Sequence, residues 1–197
     1  VSGSETMAKL ILASASARRR ALLAQIGIVP AAIRPADIDE TPRPSESPRI
    51  CCARLAREKA LAIAAGSNEA VLAADTIVAV GRRILGKPAD EDEVRTFLRL
   101  MSGRRHRVIT SVAIRRNEKV WQKDAEATVR MVRLTDADMD AYVAMGEWRD
   151  KAGGYGVQGH AARFIPCIRG SYTAVVGLPL TETASLLQTA GVLKRCA

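Results

Sequence analysis

The alternation of apolar and polar positions divides the chain into short strands and helices separated by polar or glycine- and proline-rich joints. Lys9–Ala13 reads as a buried strand, and a helix over about residues 17–26 follows. Leu22, Leu23 and Ile26 share a face of that helix, and Gly27 stands as its stop. A second strand is expected over 28–34. Residues 35–48 hold Pro35, Pro42, Pro44 and Pro48 and read as a loop. A long helix fits 49–65, ending at Gly66. Val71–Val80 is β-branched and apolar, and Gly81-Arg82-Arg83 turns it into a short strand at Ile84-Leu85.

Past Pro88, residues 90–101 form an amphipathic helix with Val94, Phe97, Leu98 and Met101 on one face. Its first turn is acidic, which suits the helix dipole. Residues 106–114 and 119–134 read as antiparallel strands about a turn at 115–118. Thr135 with Asp138 predicts a capping box. A glycine-rich stretch, 146–159, is followed by expected strands at 164–168 and 171–176. A last helix opens at Pro179 and runs to about residue 190. Helices alternating with strands, then hairpins, predict an α/β fold with a mixed sheet. Residues 1–6 read as a loose leader, and residues 7–197 as a single domain.

Composition bounds the function. The 197 residues are 48% hydrophobic and 26% charged, which excludes a disordered or fibrous chain. The net charge of +9 brings nucleic acid, anionic surfaces and phosphate-bearing ligands into view. Successive quarters carry +2, +1, +2 and +4, so there is no polybasic tail. Aromatics are only 4%, which argues against a platform that stacks bases. Cys51, Cys52, Cys167 and Cys196 form no Cys-x-x-Cys pair, and His106 and His160 are too few to complete a zinc site. Free thiols in a reducing cytosol are expected, hence a cytoplasmic location. No apolar run reaches the roughly 18 residues of a membrane span.

Four places carry polar groups where local structure does not require them. At the strand-to-helix joint, Ser14 and Ser16 offer hydroxyls. Arg18 and Arg19 offer guanidinium forks beside a helix start, where cations oppose the dipole. The joint suits a phosphate, or equally a plain Ser16 cap with solvated arginines; it is not a P-loop. Asp75, with Thr76 after it, lies in an apolar run where an acid is costly unless it is paired or functional. Lys59 falls on the apolar stripe of its helix, so it either snorkels outward or enters a phosphate site. Lys87 and Glu40 lie in loops and are ambiguous alone. Gln158 sits among glycines that let backbone approach a ligand, and its amide can both donate and accept.

Taken in order, LILASASARRRALLAQIGI, ADIDET, LAREKA, VLAADTIV, ILGKP, LMSGRRHRVITSV, DKAGGYGVQG, IRGSYTAVVGLPL and TETASLL resemble the Maf family of nucleoside triphosphate pyrophosphatases from Lys9 to Gly191. DKAGGYGVQG and GSYTAVVGLPL look like its dTTP/UTP-cleaving branch. The resemblance implies an elongated, two-lobed fold with a central cleft, shared with inosine triphosphate pyrophosphatases and often dimeric. It implies hydrolysis of the α–β phosphoanhydride with a divalent cation, Mg²⁺ or Mn²⁺. Carried over by position, Asp75 becomes the proton acceptor or metal-associated acid, helped by Glu40. Arg18, Thr76 and Gln158 match positions linked to activity and selectivity. Ser14, Glu40, Lys59 and Lys87 match other polar cleft residues. Ala17 departs from the family, which usually has proline there. The expected partner is a nucleoside triphosphate, with a homodimer implied and membrane or nucleic acid not expected. The competing readings are the same chemistry on 7-methyl-GTP, or a basic protein associated with nucleic acid or the septum.

Overall fold

The computed structural model describes residues 7–194; the leader at 1–6 and Cys196 lie outside the described residues. Seven strands make one mixed sheet: β1 (Lys9–Leu12), β2 (Ala32–Ile33), β3 (Glu69–Val80), β4 (Arg83–Leu85), β5 (Arg105–Arg116), β6 (Lys119–Arg130) and β7 (Cys167–Arg169). The spatial order is β2-β1-β3-β5-β6-β7, with β4 also on β3. β1 runs parallel to β2 and β3, and the other pairs are antiparallel. Among the described residues six α-helices pack on it: α1 (Ala17–Gln25), α2 (Pro48–Ala62), α3 (Glu91–Met101), α4 (Asp136–Ala144), α5 (Tyr172–Val176) and α6 (Leu180–Thr189).

The two-residue period of β3 assigns these helices to faces. Val71, Ala73 and Ile77 pack toward α2 with its Cys52, Leu55, Ala56 and Ala60. The opposite face is covered in two places. Leu72 and Ala74 pack with Leu22 and Leu23 of α1 and with Leu186 and Leu187 of α6. Val78 packs instead with α3 and α4. Thr76 falls between these two apolar clusters, where a gap opens between them.

Local chemistry explains most of the element ends. Ser16, Ser47 and Asp90 cap α1, α2 and α3 by accepting from a backbone N–H three residues on. Thr135 and Asp138 form the expected capping box. Asn117, with φ of 52°, makes the tight turn between β5 and β6.

Three expectations are corrected. The strand at 28–34 shrinks to Ala32–Ile33. Pro30 has no N–H to give, and the Ile28 N–H closes α1 by donating to the Leu23 carbonyl. The segment 171–176 is helical rather than extended. Ser171 accepts from the Ala174 N–H as a cap, and Gly177 ends the turn at φ of 126°. Phe164 belongs to a 3-10 turn (His160–Phe164), so the strand begins only at Cys167.

One buried titratable group lies in the α3/α4 cluster. His106 is 2% exposed, and its Nε2 is 2.7 Å from the Tyr155 hydroxyl. Burial lowers its pKa from the ordinary 6.5 to about 4. The unfolded chain therefore binds this proton between those values while the folded chain does not, so stability falls as pH drops through that window. Urea unfolding at pH 7 and pH 4.5 should show about 2 kcal/mol less acid-induced loss in His106→Gln than in the parent chain. Equal losses in both would assign the acid sensitivity elsewhere.

Candidate active site

The site forms where β3 loses its neighbour on one edge. β1 pairs with β3 up to Leu72, and β4 begins only opposite Val78. On the other edge β5 pairs without a break from Ala70 to Ala79. The chain leaves β1 at Ser14 to enter α1, and this opens the edge beside Asp75 and Thr76. Consecutive strand residues point to opposite faces, so the two would ordinarily be separated by the sheet. At an open edge both reach one cleft, of about 910 Å³. Ligands of α/β sheets gather at such breaks in strand order.

On the α2 face, Lys59 joins two carboxylates. Its Nζ lies 2.6 Å from Asp75 Oδ1 and 2.8 Å from Glu40 Oε1. Lys59 and Asp75 are buried, whereas Glu40 is exposed on the loop before α2. Burial pushes the Asp75 carboxyl above its ordinary range, although Lys59 and, more weakly, Arg19 pull it down. Desolvation also pushes Glu40 up, but the combined pull of Lys59 and Lys87 outweighs it, and the net shift is downward. Lys87 is exposed and reaches Glu40 Oε2 at 3.5 Å. Asp75 Oδ2 accepts no hydrogen bond among the described residues, which leaves it available to a ligand.

On the other face, Ser14 and Ser16 begin α1. Arg19 donates from Nη1 to Ser14 Oγ at 3.0 Å and from Nε to the Gly177 carbonyl at 2.9 Å. Burial lowers its pKa, with Asp75 acting in opposition. Arg18 lines the same cleft. Thr76 Oγ1 is 3.0 Å from Thr110 Oγ1. Gln158 is exposed at the rim, just after Val157, which packs on the α1/α6 cluster.

All ten side chains singled out from the sequence border one cleft: Ser14, Ser16, Arg18 and Arg19 at the α1 entrance, Glu40, Lys59, Asp75 and Lys87 on the α2 side, Thr76 and Gln158 across from them. Two features were not read from the sequence. Arg19 rather than Arg18 makes the hydrogen bonds to Ser14 and Gly177. The signal was helical spacing, since Arg19 lies three, four and seven residues before Leu22, Leu23 and Ile26. Thr110 is fully buried in β5 and has no distinguishing sequence context.

The donor set bears on a metal. Among the described residues no three His, Cys, Asp or Glu side chains gather into a metal-holding group. Four carboxylates line the cleft, and two of them, Asp75 and Glu40, meet at Lys59. This matches Mg²⁺ held by one or two carboxylates together with substrate phosphates, not an all-protein cage. The cysteines are poor ligands. Burial and Glu46 push the Cys51 thiol up to about 11, and Cys52 Sγ is directed to the Asp75 and Ile109 carbonyls at 3.3 Å. Cys51, Cys52 and Cys167 are free thiols, and among the described residues no helix is long and apolar enough to cross a membrane.

A family model described as Maf-like protein matches residues 9–190. A dTTP/UTP pyrophosphatase of Cereibacter sphaeroides is 61% identical over 183 residues, 93% of this chain and 95% of that one. A dTTP/UTP pyrophosphatase of Roseobacter denitrificans is 60% identical over 181 residues, 92% of this chain and 96% of that one. A solved structure of a nucleoside-triphosphatase / dITP/XTP pyrophosphatase from Mycobacterium abscessus aligns with 14% identity over 92% of this chain and 95% of that one, at a TM-score of 0.44. With the family match running from the first strand through the last helix, the chain belongs to the Maf family.

Proposed function

We propose that the chain hydrolyses dTTP and UTP at the α–β phosphoanhydride, releasing a nucleoside monophosphate and pyrophosphate. The observation that carries the chemistry is Asp75: a buried acid with one oxygen fixed by Lys59 and the other open to the cleft. The choice of pyrimidine follows the relatives named dTTP/UTP pyrophosphatase that match nearly the whole chain.

A triphosphate repels an attacking water unless its charge is met. Lys59, Lys87, Arg18 and Arg19 border the cleft and supply fixed cations from both faces of the sheet. Asp75 Oδ2 accepts the proton of the attacking water, and its raised pKa brings it nearer to neutrality as a base. Lys59 holds the carboxylate in place, and Glu40 holds Lys59. Charge that builds on the bridging oxygen is met by the lysines and arginines. Asp75 and Glu40 would hold a divalent cation, Mg²⁺ or Mn²⁺, which supplies charge neutralisation on the phosphates.

The test is pyrophosphate release from dTTP, UTP, CTP and 7-methyl-GTP with Mg²⁺. Turnover confined to 7-methyl-GTP would refute the pyrimidine assignment. Chelation with EDTA should abolish turnover, and added Mg²⁺ should restore it. Full activity in EDTA would remove the metal from the reaction while leaving Asp75 as the base.

A further inference from the structure

Thr110 faces Thr76 directly across the β3–β5 pair and is 0% exposed. Its Oγ1 lies 2.7 Å from the Ala174 carbonyl in α5 and 3.0 Å from Thr76 Oγ1. A carbonyl only accepts, so the Thr110 proton goes to Ala174. Thr110 Oγ1 is then an acceptor toward Thr76, and Thr76 donates its single proton to it. The opposite arrangement would set two acceptors against each other at 2.7 Å. The Thr76 hydroxyl is thereby left with lone pairs alone for the cleft.

Such a group cannot serve a phosphate oxygen, which is itself an acceptor. It is served by a donor, which the imide of a base supplies and a phosphate does not. Lys59 and Lys87 lie across the open edge, on the α2 face with Asp75, whereas Arg18 and Arg19 stand at the α1 entrance on the side of Thr76. Gln158 follows Val157, which packs on the α1/α6 side to which Thr76 also belongs. The space beside Thr76 is kept clear by backbone as well. A Cβ at Gly177 would stand 3.6 Å from Thr76 Oγ1 and 3.8 Å from Arg19 Nε, and φ of 126° disfavours any side chain there.

We propose that Thr110 is a specificity-positioning residue: it makes Thr76 an obligate acceptor for the imide N3–H of uracil or thymine. Cytosine presents a lone pair at N3 and is turned away by the same oxygen. This rests on the pyrimidine reading of the site and adds how the base is distinguished.

The experiment measures kcat/KM for UTP, CTP and N3-methyl-UTP in the parent chain, Thr110→Val and Thr110→Ser. The parent should favour UTP over both other nucleotides by about tenfold or more, the worth of one buried hydrogen bond. Thr110→Val frees the Thr76 hydroxyl to turn and donate, so the UTP-to-CTP ratio should fall about tenfold. Thr110→Ser restores the relay and the ratio. A well-folded Thr110→Val with an unchanged ratio overturns the proposal, as does a parent chain that accepts N3-methyl-UTP as readily as UTP. Should Thr110→Val fail to fold, Thr76→Val decides: it must lower kcat/KM for UTP more than for CTP, and an equal loss overturns the proposal. A parent chain that releases no pyrophosphate from UTP or dTTP refutes the pyrimidine reading itself, a different result from an unaltered ratio.

Discussion

Asp75→Asn should lose about a thousandfold in kcat while folding normally. The substitution keeps the shape of the side chain and removes the proton acceptor, and general-base catalysis contributes about 10²–10⁴. Its effect on stability should be small and can be favourable. Burial raises the Asp75 pKa in the folded chain, so at neutral pH the ionised acid opposes folding. That opposition vanishes below the unfolded pKa and grows as pH rises through the folded one. Asparagine carries no such cost, and Lys59 retains Glu40 at 2.8 Å. Pyrophosphate release and thermal unfolding should be measured on one preparation. Retained turnover with intact folding would move the base to another residue. Lost turnover with lost folding would leave the assignment open, and Asp75→Glu, which keeps the acid but shifts it by a methylene, should then retain a measurable fraction of the rate.

Lys59→Met removes the single cation between two carboxylates. Asp75 then lies buried without its partner, and breaking a buried pair from one side costs about 3–5 kcal/mol. The loss should shrink as pH falls, because protonation of Asp75 relieves the unpaired charge. The same change alters the rate profile. Activity requires ionised Asp75, so the acid limb of kcat/KM follows its pKa. Without Lys59 that pKa rises further, so the limb should move to higher pH and the rate at neutral pH should fall. The double variant Lys59→Met with Asp75→Asn should recover much of the stability and none of the activity, which is the mark of direct coupling. An unchanged acid limb in Lys59→Met would show that the lysine does not control the ionisation of the base.

The glycine-rich segment shows where sequence reading stops. Gly153 and Gly154 read as ligand-approach glycines, yet both pack into structure. At positive φ, a Cβ on Gly153 would meet Val78 Cγ1 at 2.9 Å and one on Gly154 would meet Val94 Cγ2 at 2.6 Å. They seat the segment against β3 and α3, and Gln158 at the rim depends on that seating. The short helix α5 was missed for a related reason. Five residues of Tyr-Thr-Ala-Val-Val have strand-like composition, and only the Ser171 cap and packing against α1 and β5 decide otherwise. The burial of Lys59 was visible as a lysine on an apolar stripe, but its partners lie 16 residues ahead and 19 behind, on separate elements.

Local pattern was sufficient for the Thr135 capping box, the strand-rich centre, the amphipathic α3 and the identity of the chemically costly residues. Each depends on neighbours within about a turn or a strand, and a misplaced acid such as Asp75 is conspicuous against apolar neighbours at any distance from its partner. Strand pairing decided the rest. The break between β1 and β4 opens one edge of β3, so Asp75 and Thr76 reach one cleft from opposite faces of a sheet. The direction of the Thr76 hydroxyl is set through Thr110 by a carbonyl 64 residues further along the chain. Such long-range geometry arises from which strands pair and where they part, and a hydroxyl has no preferred direction until its neighbours supply one.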